Sequence, residues 1–450
     1  MTTLRSVLRP VRVVAIALSV AGLAAAAWAS SLAPAATGGA GATSVVTVDV
    51  RATRQVIQGF GTSIRVWSDP HVVEGVNDTP PLEAQRQVLD ALYRRLGLTR
   101  ARPVLDKGVQ PTPGAPFNFA GRLVDDHVAY VKQALPYGLK VVFPGPVYLE
   151  DWMKPDDPGS YVNWAMAMLK HWRDQGYEPA LYAPLNEPKI ARNFPPQWMH
   201  DVVLQLGTRL REAGFATKLV VPDDENPRDA YDRAVAVLSD PAARKYVAAI
   251  AYHIYAGDTS DLVRMRDLAA RYGLPVWMTE YSNRSYKDWR TSFDWAVRMH
   301  TLLTAGGVSA IDYLWGFFGE WADTAALISL TYDGPTYKGF SYTPMYYVTG
   351  QYSRFVKPGY VRVSTSPAGG PVAVSAYKGN KRLVVVATNA TDSATTVRIK
   401  VVRGTLAARP TGVRSSATDR FRSVTVQRWT KAGFTAVLTP QSVSTFVART

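Results

Sequence analysis

Residues 161–188 read YVNWAMAMLKHWRDQGYEPALYAPLNEP, and two periods meet within them. As far as Gly176 the apolar residues follow the 3.6-residue period of an amphipathic helix, and ALYAPLNE (180–187) then reads as a strand. That strand runs into Asn186-Glu187-Pro188 with no turn glycine to ease the change. A carboxylate at the end of a buried strand is costly unless it is paired, hydrogen-bonded or used.

The same helix-then-strand unit recurs along the chain. LTRARPVL (98–105) follows a helical 82–96, LKVVFPGP (139–146) follows 124–135, and KLVVPDDE (218–225) follows a helix that ends at REAG. VAAIAYHIY (247–255), LPVWMTEYS (274–282) and SAIDYLWGFF (309–318) each follow a further amphipathic stretch. With IQGFGTS (57–63) at the front there are eight strands, and a last helix is expected over 343–356. Glycines in REAGF, ARYGL and TAGGV stand where helix ends want a left-handed cap. Strands alternating with helices at this regularity point to an α/β fold with a parallel sheet, and eight units closing on themselves make a (β/α)₈ TIM barrel. An open doubly wound sheet would want a glycine-rich phosphate turn after an early strand, and none is present.

After Gly359 the helical period is lost. VAVSAY, RLVVVATN, TTVRIKVV, FTAVLT and SVSTFVA are short alternating strands separated by turn residues, the pattern of an all-β sandwich. VVTVDV, near the start, lies outside the barrel count and is placed to complete that sandwich. The resulting division is a leader at 1–29, a linker at 30–44, a sandwich strand at 45–54, the barrel at 55–358 and the sandwich proper at 359–450.

Composition narrows the function. A hydrophobic fraction of 47% with 19% charged residues belongs to a folded globular chain. The absence of cysteine excludes disulfides, thiolate metal sites and cysteine nucleophiles. Arg5, Arg9 and Arg12 before VVAIALSVAGLAAAAWA, then small residues at Ala27 and Ala29, have the order of a secretory signal peptide. The expectation is an exported protein, extracellular or held at the cell wall, with no membrane span after cleavage. Losing the leader's three arginines takes the formal charge from +15 to +12. Basic residues are scattered among acids with no run of five, so nucleic acid is not expected as a partner.

In a (β/α)₈ barrel the functional side chains project from the C-terminal strand ends. The fourth strand ends in Asn186-Glu187 and the seventh in Thr279-Glu280-Tyr281. The sixth carries His253 and Tyr255, the second Arg102 and the eighth Trp315, while Trp152 lies in the loop after the third. Two carboxyl groups facing one mouth suit retaining hydrolysis of a glycosidic bond, which needs them about 5–5.5 Å apart. Arg102 and Tyr255 would keep Glu280 ionised as the nucleophile. Glu187, flanked by Leu185 and Pro188, has the less polar setting of an acid/base catalyst. Asn186, Arg102, His253, Tyr255, Trp315 and Trp152 form the expected substrate-binding set, with Asn186 donating to a sugar hydroxyl and Trp315 offering a ring face. His253 is read as a hydrogen-bonding residue rather than a proton shuttle. H-x-H and H-E-x-x-H spacings are missing, so no metal and no cofactor is expected. The acidic PDDEN (222–226) reads as a solvated loop after the fifth strand.

These residues resemble a known group. NEP at 186–188 and Glu280 after PVWMT are similar to the retaining (β/α)₈ glycoside hydrolases of clan A. QVIQGFGTS (55–63), DWMK (151–154), HIY (253–255), YYVTGQYSRFVKPGYVRV (346–363) and QSVSTFVA (441–448) narrow the resemblance to glycoside hydrolase family 30. The resemblance implies a β-sandwich beside the barrel that includes an N-terminal strand, Glu187 as acid/base and Glu280 as nucleophile. GPVYLEDWMK and GFGTS depart from the family's usual forms, and both border the expected cleft. The expectation is therefore a retaining hydrolase of β-linked oligo- or polysaccharide, acting as a monomer. A catalytically silent glycan-binding barrel is the alternative.

Overall fold

A computed structural model describes residues 43–70, 72, 79–320, 325–366 and 372–450. The leader and most of the linker lie outside the described residues. β1 (Thr43–Val56) comes first, and the barrel then begins with β2 (Gly59–Ile64). β3 (Arg100–Leu105), β4 (Val141–Val142), the short β5 (Gly145–Pro146), β6 (Leu181–Tyr182), β7 (Lys218–Asp224), β8 (Val247–His253), β9 (Val276–Glu280) and β10 (Ala310–Tyr313) follow. Their order is β4-β3-β2-β10-β9-β8-β7-β6 and every pairing is parallel. The ring closes between its two ends through Ala183 N–H to Pro144 O (3.1 Å) and Asn186 N–H to Pro146 O (2.9 Å). All eight strand units of the sequence reading are present.

The helices start on side chains suited to the task. Asp157 caps Pro158–Asp174, Asn226 caps Pro227–Ser239, and Asp258 and Asp288 form capping boxes with Asp261 and Thr291. Gly214, Gly273 and Gly307 take positive φ at the expected helix ends.

The barrel interior holds ions as well as apolar side chains. At its base Phe143, Ala183, Val220, Ala249, Ala251, Trp277 and Ala310 pack together. Against them Arg100 makes two 2.9 Å bonds to Asp312, both side chains buried, with its guanidinium 4.0 Å from the Trp277 ring centre. Gly61 makes room for this pair, since a Cβ there would lie 2.2 Å from Asp312 Oδ1 and 2.4 Å from Arg100 Cβ. That is a physical reason for glycine in GFGTS.

Beyond β10, β11 (Phe317–Gly319), β12 (Ile328–Asp333) and β13 (Thr336–Tyr342) make a small sheet whose β12–β13 hairpin the sequence reading did not foresee. Its signal was present in Asp333-Gly334, a turn pair between two strands. The helix Pro344–Ser353 leads into β14 (Val361–Thr365), β15 (Val372–Gly379), β16 (Arg382–Asn389) and β17 (Thr395–Val402). β18 (Thr411–Ser415), β19 (Arg422–Thr425), β20 (Arg428–Thr430), β21 (Gly433–Leu438) and β22 (Ser442–Arg449) complete the chain. These nine join β1 in one sheet, with β1 between β14 and β17. The sheet folds over so that Phe434 of β21 meets Phe446 of β22, ring centres 5.1 Å apart, around a core that includes Val46, Val385, Val397 and Ile399. VVTVDV does complete the β-sandwich.

Candidate active site

β3 carries Arg102 into the centre of the barrel mouth, where its side chain is fully buried. One guanidinium nitrogen, Nη1, donates to Glu280 Oε2 at 2.8 Å and to Ser63 Oγ at 3.3 Å. Nη2 donates to Asp223 Oδ2 at 2.9 Å and to Asn186 Oδ1, and Nε donates to Asp223 at 3.3 Å. A buried cation stays charged only with such compensation: burial opposes the charge, and Asp223 and Glu280 overcome it. Glu280 ends β9, and its second oxygen, Oε1, accepts the Tyr255 hydroxyl at 3.0 Å. Burial and the Glu280 charge push the Tyr255 hydroxyl well above its usual range, so it stays a donor.

Glu187 is reached from the other side. Its backbone is left-handed at φ 47°, unusual for a side chain of this size, and Pro188 opens the short helix Pro188–Arg192 directly after it. Its N–H donates to the carbonyl of Asp223 at 2.9 Å, and Asp223 is itself left-handed at φ 63°. Two strained residues are thus held by each other, Asp223 near the end of β7 and Glu187 in the segment that follows β6. The side chain of Glu187 accepts from His253 Nδ1 at 2.9 Å. That partner differs from the apolar setting read off Leu185 and Pro188: along the chain the neighbours are apolar, but in space the carboxyl faces a ring.

His253 is fully buried at the end of β8 and touches three carboxyl groups. Glu187 lies at 2.9 Å, Glu280 Oε1 at 3.9 Å and Asp223 Oδ1 at 3.5 Å. Burial works against the charged ring, but Glu280, Asp223 and Glu187 outweigh it and hold its pKa up at about 10. His253 is therefore an imidazolium over the neutral range. Ligand atoms of Glu187, His253 and Glu280 all lie within 4.8 Å of one another. With its ring held protonated by these carboxylates, His253 would have to lose a proton before it could take a cation.

Two expectations need correction. PDDEN is not a solvated loop: Asp223 and Asp224 are fully buried and Asn226 nearly so. Asp223 holds Arg102, accepts from Thr279 Oγ1 and sits beside His253. Burial would raise its carboxyl, but Arg102 and His253 hold it far below the carboxylate range. The signal was available, since an acid at the end of the fifth strand deserved the same question as Glu187. Second, Arg102 and His253, expected to bind substrate, have no accessible side-chain surface, and their bonded donors meet Glu280, Asp223, Glu187, Asn186 and Ser63 instead.

Of the remaining candidates, Asn186 and Tyr255 join this cluster through Arg102 and Glu280, whereas Trp315 and Trp152 have other partners. Asn186 is buried, with its oxygen turned to Arg102, which leaves the amide N–H₂ as the outward group. Tyr255 is half-buried. Trp315, also half-buried, stacks on Phe318 with ring centres 4.6 Å apart, and the Arg65 guanidinium lies 5.3 Å from its own centre. Trp152 donates its ring N–H to Gln110 O at 2.7 Å. Its loop is tied down by buried Glu150, which accepts from the N–H groups of Gly108 and Gln110 at 3.0 and 2.9 Å.

A family model described as a glycosyl hydrolase catalytic core matches residues 238–305. A glucuronoxylanase, XynC of Bacillus subtilis, is 27% identical over 303 residues, covering 66% of this chain and 67% of that one. The glycoside hydrolase family 30 subfamily 8 xylanase of Clostridium acetobutylicum superposes with a TM-score of 0.73 at 26% identity, covering 90% of this chain and 99% of that one. Together these likenesses support glycoside hydrolase family 30, of clan A, for this chain. The chain is a retaining glycoside hydrolase, and it also shares its fold with the endo-β1,6-glucanase BT3312, at 16% identity and a TM-score of 0.70. Among its described residues no helix is long and apolar enough to cross a membrane.

Proposed function

We propose that this family 30 hydrolase cleaves β-linked xylan in two displacements, with Glu280 as nucleophile and Glu187 as acid/base. Support for the chemistry comes from one observation: carboxylate oxygens of Glu187 and Glu280 within 4.8 Å, a separation suited to direct attack and too short for an inverting enzyme's intervening water. Support for xylan comes from the named activities of the Bacillus and Clostridium relatives.

Charge accounting describes the reaction. Before attack Arg102 and His253 are cations, Asp223 and Glu280 are anions, and Glu187 holds the proton it will donate, so the five groups sum to zero. Glu280 attacks the anomeric carbon and its negative charge disappears into the ester. Glu187 protonates the leaving oxygen and becomes the carboxylate, so the sum is zero again. The charge has moved from Glu280 to Glu187, and His253 lies beside both, at 3.9 and 2.9 Å. Asp223 meanwhile keeps Arg102 neutralised while Glu280 is esterified. Water then attacks the sugar with Glu187 as base, which restores the starting state. No buried charge is left uncompensated at either stage. Asn186 turns its N–H₂ toward a sugar hydroxyl, where the contact strengthens as charge develops.

The leader directs the chain out of the cell, and the working form is a single copy. Incubation with xylan, with products followed by mass and anomeric NMR, tests the whole reading. A first product of retained β configuration is expected. Glu280→Ala should lower turnover by about 10⁴-fold or more while glycan binding survives. Glu187→Ala should harm xylan far more than an activated aryl xyloside, which needs little protonation. Full activity in Glu280→Ala would sink the mechanism. Glycan binding by the wild type without any product would favour the silent barrel instead.

A further inference from the structure

The base of the barrel meets the β-sandwich across an open cleft of about 850 Å³. It is far from the chemistry, because Val276 lines it at the start of β9 and Glu280 ends the same strand, four residues and roughly 13 Å away. Arg54 of β1, Arg362 of β14 and Arg266 of the helix Thr259–Arg271 line the cleft, and no carboxylate does. Arg266 is paired with Asp267 outside the lining. Arg54 and Arg362 have no ion pair among the described residues.

Both of those free guanidinium groups are nonetheless held in place. Arg54 donates Nε to Ser364 Oγ at 2.9 Å, and Arg362 donates Nε to Gln55 Oε1 at 2.9 Å. Gln55 is fixed in turn by its amide, which donates to the carbonyls of Leu303 and Val308 at 2.6 and 3.1 Å. Each arginine is thus anchored through Nε with its Nη groups left to meet an oxyanion, the fork geometry that suits a carboxylate. Burial pulls the Arg362 guanidinium below its ordinary range; Tyr377 opposes this, and the neighbouring Arg54 and Arg266 charges add to the lowering. Like charges gathered without a counter-ion are costly to the bare protein, and an anion would relieve them. Gln58, Ser364 and Thr365 add neutral groups suited to hydroxyls.

We propose that this cleft is a second, non-catalytic glycan site that takes an acidic polysaccharide through its carboxylates. An open trough spanning both halves of the molecule admits a chain, whereas a closed pocket would admit only a small ion. Holding an acidic polymer at the barrel base leaves the mouth on the opposite end free for its substrate.

The test is direct binding of polygalacturonate by the full chain, a readout that does not depend on turnover. Arg54→Gln with Arg362→Gln should weaken binding by about tenfold or more. Arg122→Gln with Arg428→Gln, which removes the same charge from exposed positions outside the cleft, should leave it within about twofold. Hydrolysis of a neutral soluble glycan should be unchanged in both pairs. Equal weakening by the two pairs, or by neither, would assign the binding to dispersed charge and overturn the proposal. Inorganic phosphate at about 10 mM, at fixed ionic strength, should displace the polymer only in part. Complete displacement would mark a small-anion site and reject the polysaccharide. If the cleft double variant fails to fold, as read by far-UV circular dichroism, Arg54→Gln alone must still weaken binding by about threefold or more for the proposal to stand.

Discussion

At the scale of single residues the site is governed by one histidine and one arginine that no solvent reaches. His253 titrates at about 10 in the folded chain against about 6.5 for an ordinary histidine. A raised folded pKa means stabilisation fully present below the unfolded value and lost as pH climbs through the folded one. The stability difference between wild type and His253→Asn should therefore be largest below about pH 6.5 and shrink toward pH 10. Denaturant melts at a series of pH values measure it, and a difference that stays level would mean the ring is neutral. The same variant should lose about tenfold or more in kcat, because the charge passing from Glu280 to Glu187 loses its shared partner.

At the scale of elements the first barrel strand, β2, is the most constrained. Gly61 admits the Arg100–Asp312 pair, and any side chain there collides with both partners. Gly61→Ala should cost about 3 kcal/mol or more, beyond ordinary overpacking, since a buried ion pair cannot simply retreat. Breaking that pair by Asp312→Ala should cost about 3–5 kcal/mol by leaving Arg100 unpaired in the base. Thermal unfolding of the two variants checks both figures, and a Gly61→Ala protein as stable as wild type would show that the base can rearrange.

At the scale of the molecule the barrel and the sandwich share structure. Gln351, buried in the helix Pro344–Ser353, donates to Ser415 Oγ at 2.7 Å and accepts from Thr445 Oγ1 through its backbone and side-chain oxygens at 2.6 and 2.7 Å. Trp289 of the barrel donates to the carbonyl of Gln441 at 2.6 Å. Tyr377, Val384, Val386 and Val443 of the sandwich belong to the barrel's apolar cluster. Calorimetry should accordingly show a single cooperative transition. Gln351→Leu should lower it by about 1–3 kcal/mol, because Ser415 loses its donor and Thr445 keeps only the backbone carbonyl. Two separated transitions in the wild type would show that the halves fold independently.

Much of this was written in one dimension. Period-3.6 helices alternating with strands, and the later change to period two, specify a barrel beside a sandwich because side-chain burial follows those periods directly. Glu187 and Glu280 were legible because a strand-end carboxylate in this architecture has one outlet, the barrel mouth. Short β18, β19 and β20 went unread because each holds one arginine and a single large apolar residue, too few for an alternating signal. Asp223 went unread as a site residue for another reason: an acid's cost or use depends on which cation stands opposite, and Arg102 lies 121 positions away along the chain. Chain pattern alone decided which residues turn inward. Only closure of the ring decided that Arg102, Asp223, His253 and the two glutamates meet as one cluster, since electrostatic energy depends on distance in space and sequence does not record it.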